Sequence, residues 1–212
     1  MLRDIVIWDW NGTLLDDVSA CIDSMNHMLR KRNMPEIDES YYKSAFSFPV
    51  IDYYKKLGFN LQKESFEELS VEFISEYNSR VDSTKLQESA LEVLTVLNKQ
   101  GRKQIIISAM EQNMLDRLLK QFKIDHFFDH VVGLTNIYAN GKVDLAKNFV
   151  RQNKINTKES TFIGDTLHDA EVANAIGSEV LLVSNGHHNK ERLSINGNKI
   201  ISGLGDILTG IN

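Results

Sequence analysis

The sequence has little cysteine, little proline and no long apolar run. Its one cysteine, Cys21, cannot form an internal disulfide, which excludes a disulfide-stapled fold and is typical of a reducing compartment. Two prolines and twelve glycines argue against long linkers and collagen-like repeats. No apolar stretch approaches the ~18 residues of a membrane span, and the apolar start is too short for a secretory signal. We therefore expect a cytoplasmic protein with no membrane partner.

The charge balance is mildly acidic, with 24 Lys and Arg residues, 29 Asp and Glu residues and a formal net charge of −5. This balance argues against a protein that coats nucleic acid or an anionic membrane. Hydrophobic residues make up 42% of the chain and charged residues 25%, as in ordinary globular proteins. A chain of 212 residues allows one domain, or one core domain that carries an insertion.

Six short runs are rich in Ile, Val and Leu, and most are solidly apolar rather than alternating. They are Ile5 to Trp8, Ile105 to Ile107, Val131 to Val132, Thr161 to Ile163, Val180 to Val183, and Ile200 to Ile201. Solid apolar runs favour parallel strands that are buried on both faces. Because segments with helical spacing lie between them, the pattern predicts an α/β, Rossmann-like, doubly wound parallel sheet.

The chain from Leu14 to about Arg102 contains no strand-like run, only helical patterns. A single crossover helix needs far fewer residues. The spacing predicts an all-α cap, residues 15–83, inserted into a core formed by residues 1–14 and 84–212. Leu86 to Asn98 would then be the crossover helix that returns to the core. The alternative is a separate helical domain with its own role.

Polar residues follow the apolar runs, where parallel sheets bind their ligands. They are Asp9-Trp10-Asn11-Gly12-Thr13, then Ser108, then Gly164-Asp165 through Asp169, with Gly141-Lys142 opening a helical segment. Mg²⁺ prefers carboxylate oxygens together with water and substrate phosphate. One divalent cation and the Lys142 ammonium would neutralise Asp9, Asp165 and Asp169. A carboxylate at a strand end can also act as a nucleophile. Each motif alone has a simpler interpretation as a turn, a helix cap or a surface residue.

Together these motifs resemble the haloacid dehalogenase superfamily of hydrolases, in the phosphatase branch with a helical cap, near the phosphoglycolate phosphatase-like proteins. The family motif Asp-x-Asp-Gly-Thr is similar to Asp9 through Thr13, and the second motif to Ser108 after a hydrophobic strand. The third motif, a lysine, matches Gly141-Lys142, and the fourth, Gly-Asp-x-x-x-Asp, matches Gly164 through Asp169.

The resemblance implies a role for each matching position. Catalytic roles fall to Asp9, Asn11, Ser108 and Lys142. Phosphate-binding roles fall to Gly12, Thr13, Ser108, Ala109 and Lys142. Mg²⁺ ligation falls to Asp9, the backbone carbonyl of Asn11, Asp165 and Asp169. The resemblance further implies hydrolysis of a small phosphorylated metabolite through an aspartyl-phosphate on Asp9, by a monomer or homodimer. Sugar-phosphate mutase and dehalogenase activities are less favoured.

Asn11 departs from the family pattern, because phosphatases of the family have an aspartate at this position. That aspartate protonates the leaving alcohol and activates water, and an amide does neither. Such acid–base help is typically worth ~10²–10⁴-fold in rate. The chain is then a slow phosphatase, an enzyme for good leaving groups, or one that recruits another base such as His168 or a cap residue. The alternative is a catalytically impaired phosphate-binding or regulatory protein. Restoring an aspartate at position 11 is expected to raise turnover.

Two further stretches draw attention. The segment from Phe46 to Lys56 is aromatic and basic, and it could face a phosphorylated substrate, although packing of the cap core is the simpler interpretation. His187 and His188 are expected in a surface loop, because no further ligand set accompanies them.

Overall fold

A computed structural model describes residues 2–138 and 141–210 of the chain, and it contains two sheets. In chain order the strands are β1 (Ile5–Trp8), β2 (Leu15–Asp16), β3 (Lys85–Leu86), β4 (Lys103–Glu111), β5 (His130–Leu134), β6 (Ser160–Gly164), β7 (Glu179–Val183) and β8 (Ile200–Ile201). The larger sheet has six strands in the order β5-β4-β1-β6-β7-β8. Every neighbouring pair in this sheet is parallel. All six apolar runs of the sequence are strands of this sheet, which confirms the predicted fold class.

Strand β4 is longer than its apolar core, Ile105 to Ile107. It continues to Glu111, and its register with β5 shifts between Ile107 and Glu111. The expectation that Ser108 directly follows the strand is therefore wrong, because Ser108 lies inside it. The hydroxyl Oγ of Ser108 accepts a hydrogen bond from the Met110 backbone N–H at 3.0 Å, a local bond within the irregular part of the strand.

Helices cover both faces of the parallel sheet, as the alternation of side chains along β1 shows. They are α5 (Ala90–Lys99), α6 (Gln112–Gln121), α7 (Lys142–Gln152) and α8 (Leu167–Ile176). Ile5 and Ile7 belong to the buried cluster that includes residues of α7 and α8. Val6 and Trp8 belong to the cluster that includes residues of α5 and α6. Because successive side chains of a strand point to opposite faces, a solidly apolar β1 is buried on both sides, and each such side chain contributes ~1.5–3 kcal/mol.

Four helices lie between β2 and β3. They are α1 (Val18–Lys31), α2 (Glu39–Ala45), α3 (Val50–Leu57) and α4 (Phe66–Val81). Helix α4 begins with a capping box, in which Ser65 and Glu68 each bond to the other's backbone N–H, so two otherwise unpaired donors are satisfied. Helices α1 and α4 pack against each other. Their buried side chains belong to the same apolar cluster as one face of the large sheet.

Strands β2 and β3 form a two-stranded antiparallel ribbon at the two points where the chain enters and leaves the four helices. Leu15 pairs with Leu86 in this ribbon. Leu15 begins the predicted all-α cap and Leu86 begins the predicted crossover helix, and for these two residues the prediction of a helix is wrong. Strands of two residues are too short to show the alternation by which a strand is recognised in a sequence. The cap boundaries at residues 15 and 83 stay a prediction, and they fall in or beside this ribbon.

The chain ends in short elements at the β8 edge of the sheet. Helix α9 (Lys190–Leu193) precedes β8, and helix α10 (Gly205–Thr209) follows it. Among the residues that the structure describes, no helix has both the length and the apolar character that a bilayer crossing requires.

Candidate active site

Three carboxylates meet at the carboxyl edge of the parallel sheet. Asp9 follows β1, Asp165 follows β6, and Asp169 lies in the first turn of α8. One ligand atom from each carboxylate lies within 4.8 Å of the others, and all three side chains are buried. The strand ends converge because β1 and β6 are parallel neighbours, with Trp8 opposite Ile163. The structure thus brings together the three acids that the sequence predicts as metal ligands.

The start of helix α8 orients Asp169. Thr166 caps the helix and accepts a hydrogen bond from the Asp169 backbone N–H, while Asp169 Oδ2 accepts from Thr166 N at 3.0 Å. This reciprocal pair holds one carboxylate oxygen in place and leaves Oδ1 directed at Lys142. At Gly164, an added Cβ would stand 2.3 Å from the Asp169 Cβ. A side chain at position 164 would therefore displace the carboxylate.

Lys142 is the first residue of α7 and lies between two of the carboxylates. Its Nζ donates to Asp169 Oδ1 at 2.6 Å and also to Asp9 Oδ1. The side chain is 2% exposed, so the lysine is not a solvated surface residue. Burial lowers its pKa, but the charges of Asp169 and Asp9 outweigh burial and the pKa is raised. The ammonium therefore stays charged within the cluster.

One ammonium does not neutralise three buried carboxylates. Burial, followed by the charges of Asp169 and Asp165, raises the pKa of Asp9 to about 8 although Lys142 opposes the shift. Burial likewise raises the pKa of Asp165 to about 6, with Asp169 adding to the shift. Asp169 differs, because the charge of Lys142 and hydrogen bonds from Lys142 and Thr166 outweigh burial and lower its pKa. The cluster is thus short of positive charge.

The loop after β1 packs tightly against Asp165. Gly12 has φ +72°, and a Cβ added there would stand 2.3 Å from Asp165 Oδ2. Glycine is required here both by the left-handed backbone and by the lack of space. Thr13 Oγ1 lies 3.2 Å from Asp9 Oδ2 and 3.0 Å from Asp165 Oδ1. The threonine hydroxyl therefore links two of the carboxylates and supports the loop.

The predicted phosphate-binding residues of β4 differ in their exposure to the site. Ala109 lies on the wall of the cavity above Asp9. Ser108 is fully buried, and its oxygen accepts from the Met110 N–H. Ser108 is not among the residues that line the cavity, and among the described residues its hydroxyl proton has no acceptor.

Asn11 is held by residues that the sequence analysis missed. Its amide Nδ2 donates to Asp17 Oδ2 at 2.7 Å and lies 3.0 Å from the Tyr77 hydroxyl, which itself donates to Asp17 Oδ2 at 2.7 Å. The Gly12 N–H donates to the other Asp17 oxygen at 2.9 Å. Asp17 is fully buried. Asp17 follows Asp16 directly, shortly after the Asp9-to-Thr13 motif, and this second acid is a weak signal in the sequence that points to it.

His187 is buried beside this network, which corrects the expectation of a surface loop for His187 and His188. Its Nε2 lies 3.2 Å from Asp17 Oδ1, and its Nδ1 lies 2.9 Å from the Tyr42 hydroxyl. Burial lowers the pKa of His187, but the Asp17 charge and hydrogen bond outweigh burial and raise it to about 9. Burial lowers the pKa of His188 to about 3. His187 therefore acts as a cationic partner for Asp17, and the tertiary structure supplies the pairing.

Comparisons with known proteins agree with this geometry. A family model described as haloacid dehalogenase-like hydrolase matches residues 6–183. A phosphoglycolate phosphatase of Pseudomonas fluorescens is 24% identical over 196 residues, which are 88% of this chain and 71% of that protein. The tyrosine-protein kinase PtkA of Mycobacterium tuberculosis is 24% identical over 185 residues, 86% of this chain but 62% of that protein. This chain therefore spans less than two thirds of the kinase.

A solved structure gives the same fold. A haloacid dehalogenase-like hydrolase of Streptococcus pneumoniae superimposes with a TM-score of 0.84 at 18% identity, covering 99% of each chain. At this identity the likeness supports the fold alone. Because the family model covers most of the sequence, the chain belongs to the haloacid dehalogenase-like hydrolases.

Proposed function

We propose that this protein is a Mg²⁺-dependent phosphatase that hydrolyses phosphate monoesters of small molecules through an aspartyl-phosphate on Asp9. The observation that carries the proposal is the cluster of Asp9, Asp165 and Asp169 around the Lys142 ammonium at the edge of the sheet. Family membership and the phosphoglycolate phosphatase relative support the same class of reaction.

The donor set fits Mg²⁺. Hard carboxylate oxygens are its preferred protein ligands, and three of them lie within 4.8 Å of one another. Burial, and after it the charges of neighbouring carboxylates, raises the pKa values of Asp9 and Asp165, and a bound divalent cation would favour their ionised forms. Asp9, Asp165 and the Asn11 backbone carbonyl would hold the ion, with Asp169 ligating it or orienting its shell. When bound, the ion neutralises charge on the transferring phosphoryl group.

In the proposed reaction an Asp9 oxygen attacks phosphorus, so a new P–O bond forms while the P–O bond to the leaving oxygen breaks. Water then attacks the aspartyl-phosphate, which releases inorganic phosphate and restores Asp9. Lys142, the Ser108 hydroxyl and the backbone near Gly12 and Ala109 would hold the phosphoryl oxygens. Catalysis is then mainly positioning and charge neutralisation. The leaving oxygen takes its proton from solvent, because an Asn11 amide cannot supply one.

The second candidate function is phosphate binding without turnover. One observation favours it, since the Asn11 amide is engaged by Asp17 and Tyr77 and offers neither an acid nor a base. In that case the protein would bind a phosphorylated ligand with Mg²⁺ and hold it intact.

Hydrolysis of p-nitrophenyl phosphate tests the proposal. We expect slow turnover with Mg²⁺, its loss in excess chelator, and its loss in Asp9→Asn. The exposed Asp23, in α1, provides the matched control, because Asp23→Asn makes the same chemical change away from the site. Mg²⁺ should also raise the unfolding temperature of the wild type, and less so that of Asp165→Asn. Turnover that survives chelation would contradict the metal proposal. Phosphate binding with no turnover would favour the second function.

A further inference from the structure

The cavity above Asp9 has an aromatic wall. It has a volume of about 230 Å³, below the ~300–1,000 Å³ of sites for drug-sized ligands, so it suits a compact ligand. Aromatic side chains contributed by the helices between β2 and β3 and their loops form much of the lining: Phe46, Phe48, Tyr53, Phe66, Phe73 and Tyr77. Such rings favour offset or edge-to-face contact with another aromatic group.

The cavity offers no free cation. Among the described residues that line it, Lys142 is the only lysine or arginine, and Lys142 already bonds Asp9 and Asp169. Lys55 and Lys56 of the aromatic and basic segment are exposed and do not line the cavity. A second anionic group of the substrate would meet aromatic rings, carboxylates and neutral polar groups such as Ser70 and Asn78, but no free ammonium or guanidinium among the described lining residues. Burying an unpaired charge is costly, so the organic part of the substrate should be uncharged.

The two histidines of the lining do not change this conclusion. His187 is the partner of Asp17. His168 Nδ1 lies 2.8 Å from Glu171 Oε2, and its ring stacks on Phe48 with 4.6 Å between centroids. Each histidine therefore has an acidic partner of its own, and the His168 ring extends the aromatic wall.

Asn11 places a separate constraint on the leaving group. The amide Nδ2 donates to Asp17 and lies beside the Tyr77 hydroxyl, so no proton from position 11 reaches the leaving oxygen. A phenol has a pKa of ~10, as tyrosine does. The alkoxide of an ordinary alcohol is a much stronger base, close to hydroxide, and water has a pKa of ~15.7. A phenolate can therefore leave unprotonated where an alkoxide requires an acid.

Two independent features, the aromatic wall of the cavity and the lack of an acid at position 11, indicate one class of substrate. Resting on the proposed phosphatase function, we propose that the substrate is an aryl phosphate monoester whose ring carries no second anionic group. Asp9 oxygen bonds to phosphorus, the P–O(aryl) bond breaks, and the electron pair leaves on the phenolate oxygen, which then takes a proton from water. Water hydrolyses the aspartyl-phosphate and releases inorganic phosphate.

Four phosphate esters test the aromatic wall and the missing acid separately. The release of inorganic phosphate is measured in the presence of Mg²⁺. Phenyl phosphate should exceed phosphoglycolate in kcat/KM by at least about tenfold, because the glycolate carboxylate meets no free cation and its alkoxide leaves poorly. Cyclohexyl phosphate, similar in shape, should lose kcat because its alkoxide leaves poorly. The ester 4-carboxyphenyl phosphate keeps a good leaving group, so its KM should rise while its kcat is retained.

A matched pair of variants tests whether the wall sets this preference. Ile74, on α4, lines the cavity, whereas Val71, one turn earlier on the same helix, is 55% exposed. Ile74→Lys should lower the KM for 4-carboxyphenyl phosphate and raise that for phenyl phosphate. Val71→Lys should change neither.

The outcomes distinguish this proposal from the one on which it rests. If phosphoglycolate matches or exceeds phenyl phosphate, the substrate class is wrong while the phosphatase function stands. If no ester is hydrolysed, the phosphatase function fails. Calorimetric binding of phenylphosphonate and phosphonoacetate in Mg²⁺ then tests recognition alone, and tighter binding of phosphonoacetate would refute the aromatic preference as well.

Discussion

Replacing Asn11 by aspartate perturbs a buried contact as well as the chemistry. The Asn11 amide nitrogen stands 2.7 Å from Asp17 Oδ2, and Asp17 is fully buried. Asn11→Asp puts a carboxyl oxygen where that nitrogen stood. Two carboxylates at this distance cannot both be ionised, so one must take up a proton. The gain in turnover expected from the sequence alone is therefore opposed by a loss of stability.

The size of this loss follows from the contact that is removed. A hydrogen bond to a charged group contributes ~1.5–3 kcal/mol. At ~2–4 °C per kcal/mol for a chain of this size, the unfolding temperature of Asn11→Asp should fall by about 3–12 °C. The fall should grow between pH 6 and pH 8, because the folded variant keeps a proton that the unfolded chain has released, which costs ~1.4 kcal/mol for each pH unit.

Exchanging the two residues provides the control. In the double variant Asn11→Asp with Asp17→Asn, an amide again faces a carboxylate, and the acid now stands at position 11. The loss of stability should be smaller than the sum of the two single losses, although His187 loses its carboxylate partner. Thermal unfolding of the wild type, both single variants and the double variant gives the coupling energy. The rate of phosphate release from cyclohexyl phosphate reports whether position 11 supplies an acid. We expect this rate to be higher in the double variant than in the wild type. Purely additive effects on stability would refute the reasoning.

Two further predictions concern the loop and the carboxylates. Gly12 and Gly101 both have φ +72°, but a Cβ at Gly101 meets nothing within 4 Å. In urea unfolding, Gly101→Ala should therefore lower the free energy of unfolding only by the backbone strain of ~1–2 kcal/mol. Gly12→Ala should lower it distinctly more. Equal losses would contradict the close packing on Asp165. Because the folded pKa values of Asp9 and Asp165 are raised, the metal-free folded state binds more protons than the unfolded state. Stability in chelator should therefore fall from pH 5 to pH 8, and saturating Mg²⁺ should reduce that slope; an unchanged slope would argue against the shared metal site.

Membership in the family and the main architecture follow from local patterns. Ile5 to Trp8 is apolar at every position, and a short run of this kind favours a strand that is covered on both faces. Asp9 and Asp165 come directly after such strands, and parallel strands place their carboxyl ends at one edge. The shared position of these acids is therefore determined by the order of elements along the chain.

The ribbon and the Asn11 environment could not be derived in the same way. Leu15 and Leu86 are 71 positions apart, and their pairing leaves no periodicity in either segment. Asp17 is one of two adjacent acids, and only the fold buries it while Asp16 stays exposed. Contacts with Gly12, Tyr77 and His187, which come from three other segments, hold Asp17 in the interior.

The sequence by itself determined the parallel sheet and its order of motifs, because strand burial is encoded locally, and it pointed to three carboxylates and a lysine that the fold brings together. Only the tertiary structure decided what surrounds Asn11 and what lines the cavity. Asp17, Tyr77 and His187 come from separate segments, and their ionisation and hydrogen bonding depend on a burial that arises only when those segments pack together.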